Sequence, residues 1–286
     1  MHYVNSKSIL SKNNGMNLYR GCTHGCIYCD SRSKVYNMNH AFEDIEVKQN
    51  SLELLKKELL KREKCMIGTG AMTDPYIPAE RNLKYVRRSL ELILRYGFGF
   101  TCITKSDLIL RDLDLLKKIN EKSKAVVQMT LTTADDELCR ILEPNVCPTS
   151  RRVEVLKRLK SEGIPTVVWL CPILPYINDT EDNISRILDF CIESDVKGVL
   201  SFGMGLTLRE GNREYFYRKL DEHFPGLKKR YVEEFGNSYA IESPNNKKLM
   251  GMFYKKTDSF GIINDQSDIF DYLHEFPQTS RQTTLL

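Results

Sequence analysis

The sequence lacks the features that would place it in a membrane or in a secretory class. No apolar run in its 286 residues approaches the 18 residues of a transmembrane helix, and residues 1–7 lack the apolar stretch of a signal peptide. The net charge is only +4, from 42 Lys and Arg against 38 Asp and Glu, so no strong overall attraction to polyanions is expected. We therefore expect a cytoplasmic protein that does not associate with membranes.

A disulfide framework is also absent. The nine cysteines are odd in number and show no regular pairing pattern, which favours a reducing compartment. The chain shows no internal repeat, low-complexity stretch or clear linker, and its length allows a full core without disulfides. Basic pairs such as Lys247 and Lys248 occur on predicted helices, where they are ordinary solvated residues unless several share one surface.

Three closely spaced cysteines are the most informative feature that the sequence does contain. Cys22, Cys26 and Cys29 have the spacing C-x3-C-x2-C, and Gly21 and Gly25 allow the backbone to wrap closely. Three thiolates on one tight loop suit an iron–sulfur cluster. A four-iron cluster held by three thiolates keeps one iron open to a ligand from outside the protein. By analogy with zinc sites, an open metal position indicates catalysis rather than a structural role.

Two simpler explanations of the cysteines are a structural zinc site and buried structural thiols. A structural zinc with His24 as fourth ligand is disfavoured, because Thr23 alone separates His24 from Cys22 and this spacing closes a tetrahedron poorly. Buried structural thiols explain one cysteine easily, but they do not explain three in one loop. The iron–sulfur interpretation is therefore preferred.

From residue 51 onward, amphipathic helical patterns alternate with short apolar runs rich in β-branched residues. Helical stripes lie at 52–60, 83–94, 108–121, 150–162 and 180–194, and the apolar runs lie at 65–69, 100–104, 126–131, 166–174 and 199–202. A short strand at 17–20 would make six. This alternation predicts βαβ units and an α/β fold with a parallel sheet, closed or partly closed into a barrel.

Beyond about residue 207 the alternation stops. The sequence predicts helices at 208–224 and 227–235, a loop at 237–246 and a final apolar segment at 262–276. We therefore divide the chain into a barrel core, residues 1–206, and a mostly helical C-terminal extension, residues 207–286, that packs on the barrel.

The segments that follow the predicted strands are rich in small and polar residues. They comprise residues 68–76, 104–106, 128–133, 171–179 and 203–205. Because the carboxyl ends of parallel strands gather at one edge of a sheet, these segments are expected to form the walls of one pocket.

The cysteine motif, with Tyr28 just before its last cysteine, resembles that of radical S-adenosylmethionine (SAM) enzymes. Residues 19–30 are most similar to the spore photoproduct lyase-like group, also described as DNA repair photolyase-related. Further segments resemble this group over roughly residues 1–275, and they lie at 68–80, 104–106, 142–144, 163–165 and 172–175. The resemblance implies a partial (βα)6 barrel with the cysteine loop after its first strand.

The same resemblance implies the cofactors and the reaction class. Cys22, Cys26 and Cys29 would hold a 4Fe–4S cluster, and the methionyl amine and carboxylate of SAM would bind its fourth iron. One electron from a flavodoxin-like or ferredoxin-like donor would cleave SAM and generate a radical that abstracts a hydrogen atom from the substrate.

Residues at the strand ends are assigned to SAM by the resemblance. Gly68, Thr69 and Gly70 are expected to let the backbone approach the methionyl amine, and Thr104 and Lys105 are expected to meet the carboxylate. Residues expected at the ribose, or completing the site, are Thr130, Thr132, Glu143 and Arg152.

One departure concerns the hydrogen donor. Spore photoproduct lyase uses a cysteine after its second strand, and in this chain the aligned position is Ala71, beside Met72. Asp74 and Tyr76 are expected on the substrate side, with Tyr76 as a candidate hydrogen relay. Cys171, at a strand end, is the alternative donor.

Three functions therefore stay open from the sequence. The preferred one is radical chemistry on a nucleic-acid base or nucleotide, with a nucleic acid as candidate partner. The second is the same chemistry on a peptide or a small metabolite. The third is a non-catalytic module that only binds iron or zinc.

Overall fold

A computed structural model describes residues 1–277 of the chain. Its strands are β1 (His2–Val4), β2 (Gly15–Met16), β3 (Tyr19–Arg20), β4 (Glu46–Lys48), β5 (Met66–Thr69), β6 (Gly99–Thr104), β7 (Ala125–Thr130), β8 (Thr166–Trp169), β9 (Gly198–Leu200), β10 (Gly205–Thr207) and β11 (Ala240–Glu242). The helices are α1 (Ser51–Leu59), α2 (Glu80–Leu83), α3 (Tyr85–Tyr96), α4 (Leu113–Lys122), α5 (Asp136–Leu142), α6 (Thr149–Ser161), α7 (Glu181–Glu193), α8 (Asn212–His223), α9 (Leu227–Phe235), α10 (Asn246–Ser259) and α11 (Gln266–His274).

Six strands form the central sheet, and all of them are parallel. Their order is β2-β5-β6-β7-β8-β9, so the strands follow one another across the sheet in chain order, as in a barrel that stays open. This arrangement confirms the predicted α/β fold with six parallel strands. The predicted stripes at 83–94, 150–162 and 180–194 correspond to α3, α6 and α7.

The strands are apolar on both faces because both faces are covered. All six residues of β7 are buried. One face packs with the helices in the main core, and the other faces the inside of the barrel. Inside, Met66, Val126 and Val167 lie at the amino ends of their strands and cluster with Ile269 and Leu273 of α11. Helix α11 therefore covers the amino-terminal end of the barrel interior, which leaves the carboxyl end for a site.

The first strand differs from its prediction. The sequence pattern predicted it at residues 17–20, but the strand that pairs with β5 is β2, Gly15–Met16. Tyr19 and Arg20 instead form β3, which pairs antiparallel with β4 in a separate three-stranded sheet of order β1-β4-β3. The chain thus leaves the barrel before the cysteine loop, and the second sheet holds the residues that directly precede this loop.

The C-terminal part contains two short strands that were not predicted. Strand β10 pairs antiparallel with β11, so the helix predicted at 208–224 begins only at Asn212, and the loop predicted at 237–246 contains a strand. Helix α10 was also not predicted, whereas α9 matches 227–235. The boundary predicted at 206/207 falls inside β10, and the division into two parts stays a prediction.

Within residues 1–277, no helix is long and apolar enough to cross a membrane.

Candidate active site

The cysteine loop is held by backbone hydrogen bonds on both sides. The Cys22 N–H donates to the Phe42 carbonyl at 2.9 Å, and the Ile27 N–H donates to the Leu142 carbonyl at 2.9 Å. Cys22 and Cys26 are buried, and Cys29 is partly exposed. The loop, which carries three thiols, is therefore fixed between the turn that precedes β4 and the last residue of α5.

Two glycines are needed where this loop turns. Gly21 and Gly25 have φ of +86° and +75°, a conformation that side chains rarely adopt. A Cβ atom on Gly21 would lie 2.5 Å from the Phe42 carbonyl oxygen, and one on Gly25 would lie 3.1 Å from Pro144. The close wrapping expected from the sequence is thus present.

His24 is buried and faces Asp74 rather than the thiols. Its Nδ1 lies 3.4 Å from Asp74 Oδ2, and burial lowers the His24 pKa although Asp74 opposes the shift. Asp74 also accepts hydrogen bonds from the Thr104 hydroxyl and the Lys105 N–H, each at 2.8 Å. Asp74, which was expected on the substrate side, therefore has its carboxylate engaged by groups of the protein itself. Its carboxylate joins the cysteine loop to the end of β6.

A charged cluster lies directly behind the loop. The Tyr28 hydroxyl donates to Glu143 Oε1, and Glu143 forms a fully buried ion pair with Arg152. Burial raises the Glu143 pKa, but Arg152 and Lys105 outweigh it and the pKa is lowered overall. Burial lowers the Lys105 pKa, but the Glu143 and Asp74 carboxylates, together with Cys26 once it is deprotonated, outweigh burial and raise the pKa overall. Lys105 thus stays cationic beside the thiols.

The arrangement fits a cationic cluster. Burial, with a contribution from Asp74, raises the pKa of the Cys22 thiol to about 12, so a bound iron would have to displace the proton of this thiol. Three thiols on one loop are the donor set of a 4Fe–4S cluster with one open iron. A cluster bound here would use Cys22, Cys26 and Cys29.

A cavity of about 550 Å³ opens next to the loop at the carboxyl ends of the strands. Four residues assigned from the sequence line it, namely Gly70, Lys105, Thr130 and Cys171. Tyr28 and Cys29 of the cysteine loop lie on its wall, and so does Ala71. The predicted pocket between the cysteine loop and the strand ends is therefore present.

The other assigned residues support this wall rather than line it. Thr104 bonds to Asp74, and the Thr132 hydroxyl lies 3.4 Å from Glu143. Arg152 donates to the Thr130 carbonyl at 3.0 Å, which orients the end of β7. Gly68 and Thr69 lie within β5, where Gly68 pairs with Gly15 of β2 and Thr69 with Met16.

Tyr76 lies apart from the cavity. Its ring is buried in the main core, with the Arg111 guanidinium 6.0 Å from the ring centroid, and its backbone N–H donates to Asp74. The turn at Asp74 directs the chain back into the core, so Tyr76 does not line this cavity, and its role as a hydrogen relay stays a prediction. Of the two hydrogen-relay candidates, Cys171 lines the cavity.

One wall of the cavity is aromatic, which was not predicted from the sequence. Trp169 and Phe202 both line the cavity, with ring centroids 5.8 Å apart. The Trp169 Nε1–H donates to Gln128 Oε1 at 2.7 Å, and Gln128 in turn donates to the Thr101 hydroxyl at 2.7 Å. The signal was available, since Trp169 precedes Cys171 by two residues and so shares its face of an extended strand.

Polar residues from the C-terminal part, and one from the end of the cysteine loop, complete the rim. Asp30, Glu242 and Asn246 line the cavity, and Asp30 accepts a hydrogen bond from Tyr36 at 2.7 Å. Strands β10 and β11 therefore contribute to the site, although the sequence placed no strand there.

Comparisons with known proteins agree with this geometry. The family model of the radical SAM superfamily matches residues 16–191. An uncharacterized protein of Mycobacterium tuberculosis is 29% identical over 227 residues, which cover 76% of this chain and 66% of the relative. A protein of Pseudomonas phage M6 named radical SAM Nalpha-GlyT isomerase is 25% identical over 169 residues, covering 59% of this chain and 34% of that protein.

Solved structures show the same fold. A spore photoproduct lyase mutant with bound AdoMet and dinucleoside spore photoproduct has a TM-score of 0.62 at 13% identity, over 88% of this chain and 75% of that one. The radical SAM methyltransferase TsrM from Kitasatospora setae has a TM-score of 0.55 at 11% identity, over 89% and 52%. Because the family model matches more than half of the chain, this protein belongs to the radical SAM superfamily and is an enzyme of that class.

Proposed function

We propose that this enzyme cleaves SAM at a 4Fe–4S cluster held by Cys22, Cys26 and Cys29 and abstracts a hydrogen atom from a nucleic-acid base. The observation that carries the proposal is the cavity of about 550 Å³, which has the cysteine loop on one wall and an aromatic pair on another. When bound, the cluster and SAM supply one-electron cleavage of a carbon–sulfur bond and the hydrogen-abstracting chemistry that follows.

The chain's own residues would orient SAM in this cavity. Gly70 has φ of +103° and brings its backbone to the cavity wall, where no side chain blocks the methionyl amine. Lys105 stays positively charged and suits the methionyl carboxylate. Thr130, which also lines the cavity, would bind the ribose. Behind them, Glu143 and Arg152 would fix the end of β7 and the position of Tyr28.

The aromatic wall supports a planar substrate. Trp169 and Phe202 offer faces on which a base stacks, and the hydrogen bond from Trp169 to Gln128 fixes the indole. Phe202 is 54% exposed, so its ring is open to a ligand entering from solvent. Similarity of fold to spore photoproduct lyase is consistent with this substrate class.

Cys171 is our proposed hydrogen donor to the product radical. Burial raises its pKa to about 12, so the sulfur keeps its hydrogen at neutral pH. In this step the S–H bond breaks and a substrate C–H bond forms. The sulfur radical that remains is reduced by one electron from the flavodoxin-like or ferredoxin-like donor, with a proton from water.

The chemistry is tested with anaerobically reconstituted, reduced protein. We expect 5′-deoxyadenosine from SAM, lost in Cys26→Ala and kept in Cys191→Ala, whose thiol is buried in α7 away from the cavity. If the unaltered protein forms no 5′-deoxyadenosine, the proposed cleavage of SAM is contradicted and the non-catalytic metal-binding module is favoured.

The substrate class needs a separate experiment. Deuterated nucleosides, single-stranded and duplex DNA, and peptides are offered in parallel, and deuterium in 5′-deoxyadenosine reports which one loses hydrogen. The binding constant for DNA should fall as the salt concentration rises, with a slope on logarithmic axes that corresponds to several phosphate contacts. If deuterium is transferred from peptides alone and DNA binding does not depend on salt, the nucleic-acid substrate is contradicted and a peptide substrate is favoured.

A further inference from the structure

Two histidines and a carboxylate meet on the second sheet, and none of them lines the cavity. One ligand atom from each of His2, His40 and Asp44 lies within 4.8 Å of the other two. His2 begins β1, whereas His40 and Asp44 flank the turn that precedes β4. The sequence analysis did not single out these residues, because they are 38 and 42 positions apart from His2.

Strand register brings a second carboxylate to the group. His2 pairs with Glu46 in the parallel ladder of β1 and β4, so the two residues are neighbours across the strands. His40 Nε2 lies 3.8 Å from Glu46 Oε2. Two imidazoles and two carboxylates therefore meet at this edge.

His40 is oriented as a ligand would be. Its Nδ1 contacts the Ala41 carbonyl oxygen at 3.0 Å, which suits a proton on Nδ1. Its Nε2 is buried and has no hydrogen-bond partner among residues 1–277. A histidine that ligates a metal typically donates its other ring N–H to a carbonyl or carboxylate, and this contact fixes the ring and leaves a lone pair free.

The spacing of the two rings also suits a common ion. The His2 and His40 ring centroids are 4.9 Å apart with an interplanar angle of 84°. Two imidazoles bound to one tetrahedral ion, with metal–nitrogen distances of about 2.0–2.1 Å, have centroids about 5 Å apart. An ion between His2 Nδ1 and Asp44 Oδ2, now 2.9 Å apart, would replace their hydrogen bond.

We propose that His2, His40 and Asp44 bind a divalent transition-metal ion of the zinc type, with the Glu46 carboxylate beside His40 adding negative charge. Nitrogen and carboxylate donors in this combination suit zinc better than magnesium or calcium, which prefer oxygen alone. The Met1 amino group is the nearby competing cation and contacts the other oxygen of Asp44 at 2.6 Å. This metal site does not depend on the proposed function.

The ion would stabilise the support of the cysteine loop. Asp44 closes a turn by donating its N–H to the Ala41 carbonyl at 2.9 Å, and Phe42 in this turn accepts the hydrogen bond from Cys22. Zinc would tie the turn to β1 and so hold the backbone against which the loop begins.

The test uses the full chain with its cluster reconstituted, so that the three loop cysteines are occupied, and Zn²⁺ as the probe. We expect one zinc per chain beyond the iron, and X-ray absorption at the zinc edge should show only nitrogen and oxygen neighbours. His40→Ala should weaken zinc binding by about tenfold or more. His223→Ala is the control, since His223 lies on α8 beside Glu222.

Each other outcome would overturn the site. Sulfur among the zinc neighbours would place the metal on cysteines, and unchanged affinity in His40→Ala would place it elsewhere. Failure of the unaltered protein to bind one equivalent would remove the proposal. If His40→Ala does not fold by circular dichroism, His2→Gln is measured in its place against the same criteria.

Discussion

The Tyr28 hydroxyl donates to the Glu143 carboxylate, so the aromatic residue of the cysteine motif is tied to the buried ion pair of Glu143 and Arg152. Glu143 follows α5, and its partner Arg152 lies on α6. Arg152 also donates to the carbonyls of Thr130 and Cys147, each at 3.0 Å. This cluster therefore connects the loop that would hold the metal to the strand that lines the cavity.

Arg152→Met should destabilise the protein strongly. It leaves the Glu143 carboxylate buried without its partner, and breaking a buried ion pair costs about 3–5 kcal/mol. Urea denaturation under anaerobic conditions measures the loss. The matched control is Arg158→Met on the same helix, because the Arg158 side chain is exposed and loss of its pair with Glu162 should change stability by only about 0.5 kcal/mol. Equal effects in both variants would contradict a special role for the buried pair.

Gly70→Ala should reduce both stability and SAM affinity. Gly70 has φ of +103°, and its Cβ would lie 2.2 Å from the Ile103 carbonyl oxygen. Gly163→Ala is the control, because Gly163 has φ of +70° but open space at the Cβ position. Both variants bear about 1–2 kcal/mol of backbone strain. Only Gly70→Ala should also weaken SAM binding, measured by calorimetry on the cluster-loaded protein, and loss of SAM binding in both would point to general destabilisation.

Much of the barrel could be predicted because its signals are local and repeated. Gly97 ends α3 with φ of +69°, as expected from its position after an apolar stripe, and β7 is buried throughout as its continuous apolar run indicates. Strands β2, β10 and β11 have only two or three residues each, and they are defined by partners distant in sequence. Such strands leave no periodicity to detect.

The sequence predicted the residues of the cavity only where they follow the carboxyl end of a predicted strand. Lys105 and Cys171 follow strands directly, and both line the cavity. Tyr76 lies farther along its segment, where the hydrogen bonds to Asp74 turn the chain into the core. Trp169 lies inside β8, so a search limited to residues after strands overlooked it. The positions of Tyr76 and Trp169 depend on tertiary contacts.

Phe202→Ala should weaken binding of a single-stranded oligonucleotide while SAM cleavage in its absence continues. Stacking of a base on an aromatic ring contributes about 1–3 kcal/mol, so the dissociation constant should rise by about fivefold to a hundredfold. Fluorescence anisotropy measures it. Phe260→Ala is the control, since Phe260 is similarly exposed but does not line the cavity. Equal binding by both variants would contradict the stacking surface.

Cys171 should resist alkylation at neutral pH although it lines the cavity. Only the thiolate reacts, and with the pKa raised to about 12 by burial the thiolate fraction stays small below that value. The rate of iodoacetamide labelling at Cys171, followed by peptide mass spectrometry on cluster-loaded protein, should rise about tenfold per pH unit from 7 to 9.5 without reaching a plateau. A plateau near pH 9 would show a thiol of ordinary pKa and contradict the effect of burial on Cys171. Cys171→Ser provides the background, and in the presence of substrate it should also lower product formation while 5′-deoxyadenosine still accumulates.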